Sequence, residues 1–220
     1  MARYRGVILD VDGTLVDSND AHARSWCDAL AQSGQPVEFE EVRRRIGMGG
    51  DKLLPAVTGI SADSPEGEAL AKLRKQIFHD KYLPKIRSFP KSRELLERMR
   101  DQGLALVVAS SAQQDELEPL LEIAGVHDLL ASKTSADDAE HSKPDPDIVA
   151  AALEKLGCPA EQAVMIGDTP FDITAAKGAG IGTIAFRSGG WTTEELAAAL
   201  AVYDGPADLL ARFDDSPLAP

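Results

Sequence analysis

Two carboxylates one residue apart, Asp10 and Asp12, follow the apolar run GVIL (6–9) and precede Gly13 and Thr14. Other reactive groups stand at comparable places: Ser110 and Ser111 after LALVVA, Lys143 in HSKPDPD, and Asp168 at the close of AVMIGD. Three carboxylates in one crevice repel, and at least one is pushed toward protonation unless a cation intervenes. Magnesium takes hard oxygen ligands and meets that need, with Asp10, Asp168 and the main-chain carbonyl of Asp12 as its contacts. An ion held there can also take a phosphoryl oxygen. Asp10 is then free to attack phosphorus and form an aspartyl-phosphate. Asp12 can protonate the leaving oxygen and later accept the proton of the water that cleaves the intermediate. Ser110 can donate to a phosphoryl oxygen, with Ser111 an equal candidate, and Lys143 can neutralise charge in the transition state. Each feature alone has a blander reading. A D-x-D pair is usually a turn or cap, and a lysine before proline is usually on the surface. Their conjunction, in order, is what carries the chemistry.

The elements that must position these groups are strands that end where they begin. GVIL reads as a short buried strand. From residue 17 to residue 84 the chain shows helices and no convincing strand. Ala21, Ser25 and Ala29 share one helical face with Trp26 beside it and Gly34 closing it, and Leu70, Leu73 and Ile77 recur at helical spacing. Beyond Phe89 helices and strands alternate. Pro90 opens a helix through Leu95, Leu96 and Met99, and LALVVAS (104–110) is a second buried strand. Leu117, Leu120 and Leu121 mark a helix, and DLLAS (128–132) a short strand. Pro144 starts a helix that Gly157 ends. AVMIGD (163–168) and IGTIAF (181–186) are the last strands, and WTTEELAAAL predicts a capped helix. The expectation is an α/β fold, a Rossmann-like parallel sheet sandwiched by helices with an inserted helical cap. Residues 1–16 and 85–220 would form the core and 17–84 the cap. In an open parallel sheet ligands collect at the carboxyl ends of strands, where Asp10, Asp12, Ser110, Ser111 and Asp168 all fall.

With those residues assembled, the chain resembles the haloacid dehalogenase-like hydrolases, in particular the phosphoglycolate phosphatase-like and beta-phosphoglucomutase-like group with a helical cap. DVDGTLVDS resembles the first family motif, VVASS the second, Lys143 in HSKPDPDI the third and MIGDTPFDITAAKGAG the fourth. The resemblance implies Asp10 as nucleophile, Asp12 as acid/base, Ser110 on the phosphate and Asp168 on magnesium. It adds Asp172 as a second acidic residue supporting the metal shell or Lys143. Metal-free dehalogenases lack this full acidic set, so the resemblance favours phosphoryl chemistry. His22 falls where sugar-phosphate mutases carry a hinge histidine, whereas Gly50 stands near the place of their cap arginine, with Arg45 close by. Lys52 is nearest to the cap lysine of phosphonate-cleaving relatives, but it lies beside Asp51 in the context of an exposed helix start. Gly49 and Gly50 give the GMGG segment freedom to dip toward a substrate or simply to join two helices.

The totals set bounds. At 220 residues the chain can bury a full core. A formal charge of -13 argues against broad contact with nucleic acid or an anionic membrane. Cys27 and Cys158 offer no disulfide framework, and no stretch is apolar enough to span a bilayer, which points to the cytoplasm. The histidines have no zinc spacing. The expected activity is magnesium-dependent hydrolysis of a small phosphorylated metabolite, of phosphoglycolate or sugar phosphate type, by a monomer or small homo-oligomer. The alternatives are a sugar-phosphate mutase and, in a different class, a non-catalytic binding protein.

Overall fold

Short runs buried along their whole length, such as GVIL and AVMIG, can form strands only where both sheet faces are covered. The structure, a computed structural model that describes residues 4–219, builds them into one parallel sheet. Its strands are β1 (Gly6–Leu9), β2 (Ala105–Ala109), β3 (Ser132–Thr134), β4 (Ala163–Gly167), β5 (Gly182–Phe186) and β6 (Ala201–Tyr203). The order is β3-β2-β1-β4-β5-β6, and each neighbouring pair runs parallel. Leu9 stands level with Val108 of β2 and Ile166 of β4. Asp10 therefore leaves the sheet centre between the ends of β2 and β4. The chain winds outward from β1 in both directions, so this is also the point where strand order reverses.

The chain divides into two compact units, Met1–Asp17 with Arg87–Pro220, and Ser18–Ile86. The second is helical: α1 (Asn19–Gln32), α2 (Phe39–Arg43), α3 (Gly50–Thr58) and α4 (Pro65–Ile77), followed by a π turn at Phe78–Tyr82. Its core gathers Ala23, Trp26, Leu30, Val42, Ile46, Leu53, Leu54 and Leu70. Ser64 caps α4 by accepting from the Gly67 amide, with Pro65 at the first helical position.

The sheet unit adds α5 (Ser92–Asp101), α6 (Gln114–Ala124), α7 (Asp147–Leu156), α8 (Pro170–Gly178) and α9 (Pro206–Ala211). Ile148, Val149 and Ala152 of α7 and Ala175 and Ala176 of α8 pack on Ile8, Val107 and Met165 of the strands. Burying each large apolar side chain contributes about 1.5–3 kcal/mol, so this face alone firmly fixes the strand ends.

Three expectations need correction. DLLAS does not form a strand: His127–Leu129 is a 3-10 turn, and the strand is Ser132–Thr134, polar and at the sheet edge. The helix expected from Pro144 begins at Asp147. WTTEELAAAL begins as expected, with the Thr192 amide donating to Glu195 and the Glu195 amide to Thr192 Oγ1. It does not continue as a helix, because the Leu200 amide donates to Thr183 O at 2.8 Å and draws Ala201–Tyr203 into the sheet as β6.

Candidate active site

Backbone pairing delivers the central carboxylates. The Asp10 amide donates to Ile166 O at 2.9 Å, continuing the β1–β4 ladder and leaving the Asp10 side chain at the strand's mouth. Asp168 follows β4 directly and is fully buried. Carboxylate oxygens of Asp10, Asp168 and Asp172 lie within 4.8 Å of one another. Lys143, 1% exposed, donates from Nζ to Asp10 Oδ1 at 2.6 Å. It also lies 2.9 Å from Asp172 Oδ1, an ion pair without hydrogen-bond alignment. Burial alone would lower the Lys143 ammonium, but Asp10 and Asp172 outweigh it and hold the group well above the ordinary lysine range. Burial pushes the Asp10 carboxyl up to about 7, with Asp172 and Asp12 adding to the rise and Lys143 opposing it.

Asp172 is held by its own helix start. Thr169 and Asp172 form a capping box at the N-terminus of α8, with Pro170 at the first helical position. Asp172 Oδ2 accepts from the Asp168 and Thr169 amides and from Thr169 Oγ1, the last at 2.7 Å. Gly167 makes room for it, since a Cβ there would fall 2.5 Å from Asp172 Cγ. The acid is therefore committed to backbone and Lys143, which suits a support for the lysine.

Thr14 was not among the residues singled out from the sequence. Its buried Oγ1 lies 3.1 Å from both Asp10 Oδ2 and Asp168 Oδ1. A hydroxyl has one proton to donate, so it cannot satisfy two carboxylates at once. Two buried carboxylates converging on one hydroxyl form a hard-oxygen set of the kind a divalent cation fits. Asp10 and Asp168 are the side chains best able to hold it. The residue type after D-x-D-G was the available signal, but only the fold brings Asp168 to the same hydroxyl.

The remaining candidates are spread more widely. Asp12 is half-buried in a tight turn closed by Gly13 N to Val16 O at 2.9 Å and Leu15 N to Val11 O at 2.8 Å. Gly13 adopts φ 74°, a left-handed conformation that glycine takes without a side-chain penalty. Ser110 follows β2 on the same sheet edge, fully buried, and its Oγ accepts from the Ala112 amide at 3.1 Å. The neighbouring Ser111 Oγ is buried with no hydrogen-bond partner among the described residues.

In the helical unit, His22 sits on α1 and stacks on Phe78, ring centres 4.1 Å apart. Arg45 donates to Glu41 O at 2.7 Å, and Arg43 pairs with Asp20 at 2.7 Å. Gly49 caps α3 and Gly50 opens it, where a Cβ would lie 3.3 Å from the Trp26 ring. Lys52 is half-buried in the first turn of α3. Trp191 packs edge-on to Phe171, and Trp26 lies in the helical core. Among the described residues no helix is long and apolar enough to cross a membrane.

Known proteins resemble this chain in sequence and fold. The family profile described as haloacid dehalogenase-like hydrolase matches residues 7–186, which takes in the four motifs. Probable phosphatase IndB of Dickeya dadantii is 30% identical, with 97% of each chain covered. A phosphoglycolate phosphatase of Rhodospirillum rubrum is 31% identical over 93% of this chain and 89% of its own. The crystal structure of a hydrolase from Pseudomonas syringae superposes with a TM-score of 0.89 at 30% identity, covering 96% of this chain and 98% of that one. With its capped parallel fold and an acidic set suited to phosphoric monoester hydrolysis, the chain belongs to the haloacid dehalogenase-like hydrolases.

Proposed function

We propose that this protein is a magnesium-dependent phosphatase that cleaves a small phosphorylated metabolite through an aspartyl-phosphate on Asp10. The observation that carries the reading is the Asp10 carboxylate at the end of β1, bound by buried Lys143 and linked through Thr14 to Asp168. Magnesium held by Asp10 and Asp168 would supply positive charge where two anions, carboxylate and phosphoryl group, must approach.

An Asp10 oxygen attacks phosphorus, the new O–P bond forms, and the bond to the leaving oxygen breaks. Asp12, on its tight turn, gives its proton to that departing oxygen. Water then attacks the phosphorus of the aspartyl-phosphate, Asp12 takes its proton, and inorganic phosphate leaves with Asp10 restored. Lys143 stabilises charge on Asp10 and the phosphoryl oxygens through both steps, and Asp172 keeps it oriented. Ser110 or Ser111 donates to the phosphoryl group. Phosphoglycolate and sugar phosphates are the proposed substrates, the first supported by the name of the Rhodospirillum rubrum relative. Action in the cytoplasm fits Cys27 and Cys158, both free thiols.

The test is phosphate release from a panel of small phosphomonoesters, with magnesium and with chelator, beside Asp10→Asn. Metal-dependent release lost in the variant supports the reading. Isomerised sugar phosphate with little free phosphate would replace it by a mutase, and binding without turnover by a non-catalytic role.

A further inference from the structure

Ser188 and Gly189 lie in the 3-10 turn Arg187–Gly189 directly after β5, outside the residues assigned above. Ser188 Oγ donates to the main-chain oxygen of Gly13 at 2.6 Å, across 175 residues of sequence. One residue on, a Cβ at Gly189 would collide with the carboxylate of Asp168. The same short turn thus touches two parts of the site: the acid after β4 and the turn that carries Asp12.

That turn is anchored at its far end, where Leu15 O accepts from the Phe89 amide and from Ser92 Oγ, both at 2.9 Å. Its internal bonds, Gly13 N to Val16 O and Leu15 N to Val11 O, close it on itself. Thr14 ties one side to Asp10 and Asp168. At Gly13, whose backbone has the widest conformational freedom, the tie to the rest of the sheet unit comes from Ser188. Asp12 immediately precedes that anchored residue.

We infer that Ser188 is a positioning residue for the acid/base step, its bond to the Gly13 oxygen fixing how Asp12 is presented to the leaving oxygen. This rests on the phosphatase reading above. Ser188 touches no reacting atom. Loss of its hydroxyl therefore leaves attack by Asp10 intact and weakens the proton transfer that accompanies it.

Leaving-group dependence separates the two. Departure of p-nitrophenolate needs little protonation, whereas departure of an alkoxide needs it strongly. kcat/KM reports the step in which the leaving group departs, so it is measured for p-nitrophenyl phosphate and glycerol 3-phosphate with wild type, Ser188→Ala and Ser188→Thr. Ser188→Ala should lose about tenfold on the alkyl ester and less than about threefold on the nitrophenyl ester, part of the 10²–10⁴ that a well-placed acid supplies. Ser188→Thr, which keeps the hydroxyl, should restore the alkyl rate. Equal losses on both esters, or no loss on either, would overturn the inference. Equal losses with a lowered melting temperature would mark a purely structural role. If wild type takes neither ester, the best aryl and alkyl pair from the phosphomonoester panel replaces them. A wild type inactive across that whole panel would overturn the phosphatase reading itself, a failure visible before any Ser188 variant is made.

Discussion

Lys143 and Asp10 form a buried pair whose two members respond differently to removal. Taking away the lysine leaves Asp10 and Asp172 facing each other without a counter-charge, and breaking such a pair typically costs about 3–5 kcal/mol. Lys143→Met should therefore lose about that much stability in urea titrations in chelator, besides its activity. Taking away the aspartate charge works the other way. Burial sets Asp10 at about 7 in the folded chain against 3.8 for an ordinary aspartate, so the folded state holds the proton more tightly. The stability from this group is fully present below pH 3.8 and is lost as pH rises through 7. In chelator, Asp10→Asn should match wild type near about pH 4 and become the more stable protein by about pH 8, as urea midpoints at each pH would show. A gap that widened toward low pH would contradict the sign. Asp10, Lys143 and Asp168 were legible in the sequence because each follows a strand or opens a helix signal. Thr14 was not, since its importance lies in one hydroxyl shared between acids from β1 and β4.

The start of α8 shows how an element sets a site. Thr169 and Asp172 close a reciprocal cap that any sequence reader can suspect from T-x-x-D, and the same cap aims Asp172 at Lys143. Gly167→Ala should place a methyl against Asp172 Cγ, where neither backbone nor cap can easily give. Overpacking of this kind costs about 1–3 kcal/mol, and the melting temperature should fall accordingly, with kcat falling too as Lys143 loses its support. Unchanged melting and activity would mean that the cap does not hold the lysine. Elements at the sheet edges were the least legible. β3 is Ser-Lys-Thr and β6 is Ala-Val-Tyr, each too short for an alternating pattern to register. The alanine-rich segment before β6 has helix propensity and a formed cap, yet pairing with β5 overrides both.

Across the whole molecule, a doubly wound sheet turns distant sequence into one edge. Asp10 and Asp168 are neighbours because β1 and β4 pair in register, and Lys143 reaches Asp10 from the segment before α7. The alternation of strands and helices made this architecture readable, while side-chain contacts across the edge depend on the folded geometry. A cation that binds Asp10 and Asp168 only where the fold brings them together would stabilise the folded state. Magnesium should raise the melting temperature by several degrees near about pH 8 and by less near about pH 6, where a proton competes for Asp10. An equal shift at both would place the ion elsewhere.

The central claim is that phosphate passes through Asp10. Its most direct test is rapid acid quench during turnover of a hydrolysed phosphomonoester, with peptide mass spectrometry of the trapped protein. The account predicts a phosphoryl group on the peptide containing Asp10, absent in Asp10→Asn. Steady turnover with that peptide unmodified at every quench time, or with the label on another residue, would contradict it.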